Sequence, residues 1–247
     1  MILVERRGTD LLLVTLDRPE KRNALSQSLI EQLTDELRRA DTDATIRGVV
    51  LAGAGPSFSA GVDLHEFATG SPERARTLIV ALKELCATVR RLSKPVGCAI
   101  QGHCLGGALE LAACCDFRVC APDAQLGMPE VFLGIPSVID AVMLGHLIGV
   151  GWAREMLLTG EPISGEVAYR RGLANRLAPP SQVVEVASQL VRLATRHLPE
   201  VIAAQKQLHQ TWLDLPYDQA VEGSVEPLVT AFGSGQPQRL AAERLHS

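Results

Sequence analysis

The reading of the fold turns on "KPVGCAIQGHCLGGALELAACCDFRV", Lys94 to Val119. "PVGCAI", Pro95 to Ile100, carries no charge, the composition of a strand covered on both faces. Gly106 and Gly107 open a turn, "ALELAACC" runs on as a small-residue helix, and "FRVCA" follows as a further short strand. Glu110 stands out among these glycines, alanines, leucines and cysteines. Burying a carboxylate without partners costs several kcal/mol or raises its pKa until it neutralises. An acid in this company is either exposed after all or kept for chemistry.

The same alternation extends toward the N-terminus. "LLLVTL" (Leu11 to Leu16) and "GVVL" (Gly48 to Leu51) read as buried strands. Between them "SQSLIEQLTDELRRA" sets Leu29, Ile30, Leu33 and Leu37 on one helical stripe, with Ser26 available as its cap. A second helix is expected from about Pro72 to Leu92, ahead of the strand at Pro95 to Ile100. Beyond Pro136 the segments "VIDAVMLGHLIG", "GWAREMLLTG", "SGEVAYRRG", "SQVVEVASQLVRLATRHL" and "VIAAQKQLHQTWLDL" read as helices punctuated by glycine and proline. The chain is divided into an α/β core over residues 1–190 and a helical segment over 191–247, suited to covering a partner subunit or the mouth of a site.

With 247 residues, 47% hydrophobic and 21% charged, the chain suits one sizeable globular domain and not a disordered one. A net charge of −4 gives no general attraction for nucleic acid or an anionic membrane, so neither is expected as a partner. No apolar run approaches the roughly 20 residues of a membrane helix. The start "MILVERRGTDLLLVTLDRP" puts charges and Gly8 where a signal peptide needs an unbroken apolar stretch, so a cytoplasmic protein is expected. Cys86, Cys98, Cys104, Cys114, Cys115 and Cys120 lack CxxC spacing and read as reduced core residues. His103 beside Cys104 has no second pair at zinc-ligand spacing, so no metal is expected.

Gly107 opens a helix directly after a turn, so its N–H points out of a positive helix end, the geometry for holding developing negative charge on an oxygen. The two glycines could equally serve close helix packing. Glu110, one turn further along, falls on about the same face. Twenty residues later "LGMPEVFLGIP" offers Glu130 at a loop entering apolar chain. "GAGPSFSAGVDLHEF" supplies another glycine turn, whose backbone around Gly61 and Val62 could face the first as a second donor. As a nucleotide loop this stretch fails: Phe58 fills the third position of GxGxxG and Pro56 interrupts the helix start, while GxxxxGK and GxSxG are absent.

Together these blocks resemble the enoyl-CoA hydratase/isomerase, or crotonase, superfamily. The resemblance runs through "LDRPEKRNALS" (Leu16 to Ser26), "FSAGVDLHEF" (Phe58 to Phe67), the opening stretch, "LGMPEVFLGIP" (Leu126 to Pro136) and "AREMLLTGEPISGEVAYRRGLANRLAP" (Ala153 to Pro179). It implies an α/β spiral of β-β-α units with a helical C-terminal part, assembled as a homotrimer or a dimer of trimers, acting on acyl-CoA thioesters. No cofactor is implied beyond the coenzyme A of the substrate. By motif position the oxyanion hole falls to the N–H groups of Val62 and Gly107, and the two catalytic glutamates to Glu110 and Glu130. The coenzyme A moiety would run along Arg22, Asn23, Ala24 and Leu25 and along Ala60, Gly61, Val62, Asp63 and Leu64, with Arg22 approaching its phosphates.

The implied chemistry is addition of water to a 2-enoyl thioester through an enolate. Losing one oxyanion donor costs about 2.7–4 kcal/mol in other enzymes. Glu130 would serve the proton at C2 and Glu110 the water. Both glutamates favour hydration over other fates of the enolate: isomerisation, thioester hydrolysis, decarboxylation or carbon–carbon cleavage. A non-catalytic or RNA-binding family member is the remaining alternative, for which Arg76, Lys83 and Arg90 at seven-residue spacing could form a basic helix face.

The chain departs from the family after Pro136. Where many hydratases continue with glycines, "SVIDAVML" brings Val138, Ile139 and Asp140 to the acyl pocket. Asp140 reads either as a helix-start charge or as a specificity or catalytic group.

Overall fold

The computed structural model describes residues 1–68 and 71–245. Its strands are β1 (Ile2–Arg7), β2 (Leu11–Leu16), β3 (Gly48–Gly53), β4 (Val96–Ile100), β5 (His103–Leu105), β6 (Phe117–Cys120), β7 (Gln125–Gly127), β8 (Ile163–Ser164) and β9 (Arg176–Leu177). The helices are α1 (Gln27–Thr42), α2 (Leu64–Ala68), α3 (Pro72–Arg91), α4 (Gly107–Cys114), α5 (Val142–Ile148), α6 (Val150–Thr159), α7 (Gly165–Arg170), α8 (Val183–Thr195), α9 (Pro199–Asp214), α10 (Tyr217–Glu222), α11 (Val225–Gly233) and α12 (Gln236–Leu245).

A six-stranded sheet in the order β1-β2-β3-β4-β6-β9 forms the centre, parallel throughout except for the β1–β2 pair. Every residue of β3 and β4 is buried, which is why these segments read as unbroken apolar runs. The expected strands at Leu11, Gly48, Val96 and Phe117 all form. β1 was not expected: it is an edge strand with Leu3 and Val4 exposed, and its "ERR" half carries no apolar signal.

Ser26 caps α1 by accepting the Leu29 N–H, and the stripe Leu29, Ile30, Leu33 and Leu37 is buried. Ser71 caps α3, which packs on α1 and on α4. β5, β7 and β8 form a second, three-stranded sheet in that order, β5 following β4 after two residues. From Val183 onward the elements are helical. α8 packs on β3, β4 and β6, so the division near residue 190 falls inside a helix that covers the sheet. α9 lies against α3 and α8, whereas α11 and α12 pack on each other and bury no residue. No helix among the described residues is long and apolar enough to cross a membrane.

Candidate active site

Asn23 anchors the first wall of the site. It sits at φ +55, a conformation asparagine tolerates, and is fully buried. Its side-chain amide donates to the carbonyls of Ala54 and Ser57 at 2.8 Å, and its oxygen accepts the Arg18 N–H. Ser59 Oγ donates to the Asn23 carbonyl and accepts the Gly61 N–H. The turn from Ser57 to Gly61 is thereby fixed against the loop after β2.

Two bridges set the direction of Val62. Leu25 donates to the Gly61 carbonyl at 2.7 Å and accepts the Asp63 N–H at 3.0 Å. Because successive N–H groups of an extended chain point to opposite sides, the Val62 N–H faces away from Leu25. On that other side Ser59 pairs with Cys104 of β5, which runs straight into Gly106 and Gly107. Gly61 is at φ +90, and a Cβ there would lie 2.6 Å from the Leu105 carbonyl oxygen and 3.7 Å from the Gly107 nitrogen. No side chain fits between these two turns.

Gly107 is the first residue of α4, so its N–H has no intrahelical acceptor. Among the described residues neither this N–H nor that of Val62 donates to another protein group. The expected donor pair is therefore brought together, with both hydrogens available.

Both glutamates reach the same place. Gly106 donates to the Gly127 carbonyl at 2.8 Å, and this link carries the Pro129–Leu133 turn over the start of α4. A Cβ on Gly106 would come within 2.4 Å of Glu130 Oε1, and one on Gly107 within 3.8 Å of Glu110 Oε2 and 3.4 Å of Val62 Cγ1. Glu110 is 4% exposed, so this acid is buried among its apolar neighbours. Burial pushes its carboxyl up to about 8; the Ala141 N–H, donating to Oε1 at 3.1 Å, works against that rise, and the charges of Glu130 and Asp140 add to it. Burial also raises Glu130, opposed by a backbone N–H and by the Ser137 hydroxyl, which donates to Oε2 at 3.0 Å.

Asp140 is not a free third carboxylate. It is buried in a 3-10 turn (Ile139–Ala141) and ion-paired with Arg90 of α3. Its place at a helix start agrees with the first of its two readings, but the pairing was not visible in the sequence. The same contact takes Arg90 out of the heptad-spaced basic face, leaving Arg76 and Lys83 exposed.

The residues expected along coenzyme A divide in two. Arg22 and Leu64 are exposed, and Ala24 and Ala60 are partly so. Arg22 is also held at φ +50, and its carbonyl accepts the Ala60 N–H. Asp63, in contrast, is committed within the protein: its carboxylate takes Arg18 at 2.9 Å, Lys21 at 3.9 Å and the His65 N–H. Burial raises this carboxyl, but those partners outweigh it and hold it below the usual carboxylate range. Its side chain clamps the loop and has no face left for a ligand.

A sequence profile of the family described as "Enoyl-CoA hydratase/isomerase" matches residues 6–234. The chain is 37% identical to the "2,3-dehydroadipyl-CoA hydratase" of Escherichia coli (strain K12) over 83% of its own length and 80% of that protein. It is 28% identical to the "Short-chain-enoyl-CoA hydratase" of Clostridium acetobutylicum over 94% of its length and 90% of that protein. Its fold is similar to the crystal structure of an enoyl-CoA hydratase from Bacillus anthracis, with a TM-score of 0.92 at 29% identity, covering 98% of this chain and 96% of that one.

Proposed function

The chain belongs to the enoyl-CoA hydratase/isomerase family, and from that premise we propose that it adds water across the C2–C3 double bond of a 2-enoyl-CoA thioester. The observation that carries this reading is the meeting of two carboxylates, Glu110 buried and Glu130 half-buried, over the Gly106–Gly107 turn, beside two backbone N–H groups that donate to no other protein group among the described residues.

The thioester carbonyl oxygen accepts the N–H groups of Val62 and Gly107. Glu110 takes a proton from water as its oxygen bonds to C3. The π electrons move to the thioester oxygen as an enolate, and Glu130 gives a proton to C2 as the enolate collapses. Dehydration is the same sequence reversed. Chemistry in either direction needs one proton on the pair, and two mutually repelling, desolvated carboxyls favour that state. The larger rise is at Glu110, so the free site rests with its proton there, which is the starting state for dehydration. Hydration starts from the tautomer with the proton on Glu130, reached through the water both groups share.

Crotonyl-CoA is the direct test: loss of the enoyl-thioester absorbance is expected with the wild-type protein. Turnover of a 3-enoyl-CoA without turnover of crotonyl-CoA would replace hydration by isomerisation. The pH profile checks the pair itself. The kcat/KM is expected to fall through an alkaline limb near the Glu110 value of about 8, where the second proton leaves, and through an acid limb where Glu130 also protonates. A profile flat through that alkaline region would count against Glu110 as a titrating partner.

Coenzyme A is assigned to the exposed surface around Arg22, Ala24, Ala60 and Leu64, with Arg22 free to approach a phosphate. Assembly as a trimer or a pair of trimers is supported by the apolar side chains that the C-terminal helices leave exposed, including Val225, Leu228, Val229 and Phe232. All six cysteines are buried and free, which suits a reducing cytoplasmic setting.

A further inference from the structure

We propose that Arg90 is a positioning residue for both glutamates, acting by latching the segment Ser137–Ala141 through its ion pair with Asp140. The inference rests on the hydration reading and adds to it the device that aims the two carboxylates.

The segment deserves a latch because the side-chain donor to one glutamate and the backbone donor to the other both come from it: Ser137 Oγ to Glu130 and the Ala141 N–H to Glu110. Between them Ile139 sits at φ +41, a left-handed conformation that a β-branched residue adopts only when its surroundings enforce it. Asp140, between Ile139 and Ala141, is the anchor, and among the described residues its one ion-pair partner is Arg90. The same Arg90 nitrogen donates to Cys114 Sγ at 3.4 Å, at the last residue of the helix that carries Glu110. One guanidinium thus ties α3, α4 and the Ser137–Ala141 segment together.

The groups facing this junction are Cys86 and Arg90 from α3, Cys114 and Glu110 from α4, Asp140 from its own turn and Glu130 from the Pro-Glu turn. The hydrogen bond with Cys114 and burial push the Cys86 thiol well up, so it stays neutral. Cys86, Cys114 and Asp140 lie close enough to one another to suggest a metal site. Arg90 argues against it: a permanently charged guanidinium already bonds two of the three.

The test uses Arg90→Gln and Arg90→Lys in the full-length protein, with crotonyl-CoA kinetics across pH and thermal melting. Releasing the latch removes the Ala141 N–H from Glu110, and that bond holds the carboxyl down, so loss moves its titration upward. For Arg90→Gln a fall in kcat of about tenfold or more is expected, with KM within about twofold and the alkaline limb displaced to higher pH. Arg90→Lys, which keeps a cation for Asp140, should recover part of kcat and return the limb toward its original position. A role confined to stability would lower the melting temperature and leave kcat and the limb in place, and that result overturns the proposal. If Arg90→Gln does not fold, Asp140→Asn breaks the same ion pair from its other end, and an unmoved limb and unmoved kcat in that variant overturn the proposal as well. Infrared titration of the protonated Glu110 carboxyl gives the same readout without turnover. An inactive wild type would therefore sink the hydration reading while the latch was still being decided.

Discussion

Glutamine in place of Glu110 is expected to lower kcat for hydration by about 10²–10⁴-fold, the span that removing a positioned acid or base commands, and at the same time to make the protein more stable above neutral pH. The two effects have one cause. In the folded protein the Glu110 carboxyl titrates at about 8, against an ordinary value of 4.5. Between those two values the folded state holds a proton that the unfolded chain has released. Stability contributed by this group is therefore complete below about pH 4.5, falls as pH rises toward 8, and stays lost above it. At about 1.4 kcal/mol per pH unit the total is a few kcal/mol. The amide of glutamine does not titrate, so the variant escapes that loss. Thermal melts at acid and alkaline pH check it: the variant should melt near the wild type in acid and clearly above it in alkali. An equal difference at both ends would mean that burial of an ionising carboxylate is not the cause. Glu130→Gln should bring a comparable loss of kcat with a smaller gain in stability, since Glu130 is less buried and raised less.

The strands that were legible were those buried on both faces. β2, β3 and β4 announce themselves because a parallel strand under helices needs apolar side chains at every position. β5, β7, β8 and β9 did not, since two or three residues are too few to carry a period. The site divides along the same line. Gly106, Gly107 and Glu110 are neighbours in the chain, so helix geometry alone relates them. Glu130 arrives through the hydrogen bond from Gly106, just past β5, to Gly127 of β7; in the sequence it was only a candidate acid at a loop, and the family resemblance gave it its catalytic assignment. The Ser137 hydroxyl and the Ala141 amide carried no signal, because a serine after a proline and a backbone N–H are ordinary until a carboxylate is aimed at them. Arg90 and Asp140 are 50 residues apart. Each has a plausible local role, one on a solvated helix face and the other at a helix start, and the local readings hid the pair. Asp63 went the other way: its motif was expected to run along coenzyme A, yet its carboxylate is taken up by Arg18, Lys21 and the His65 N–H.

Alanine at Gly106 is the second large effect, and it reaches the chemistry without changing any polar group. The residue stands at φ 53 and ψ −127, a conformation outside the regions open to residues with a Cβ. Strain of that kind costs about 1–3 kcal/mol. The added methyl would also begin 2.4 Å from Glu130 Oε1. The carboxylate is the movable partner, so it gives way, and in doing so leaves the Ser137 hydroxyl and the position over C2 proposed for it. A displacement of about 1 Å is enough to cost about 10²-fold in rate. Gly106→Ala is therefore expected to combine that fall in kcat with a lower melting temperature. Gly149→Ala separates the two consequences. Gly149 is also at positive φ, +79, but a Cβ there meets nothing within 4 Å. It should share the loss of stability and keep kcat near that of the wild type. If the two variants lost kcat equally, backbone strain alone would account for the effect, and the contact between Gly106 and Glu130 would have no part in aiming the proposed proton donor.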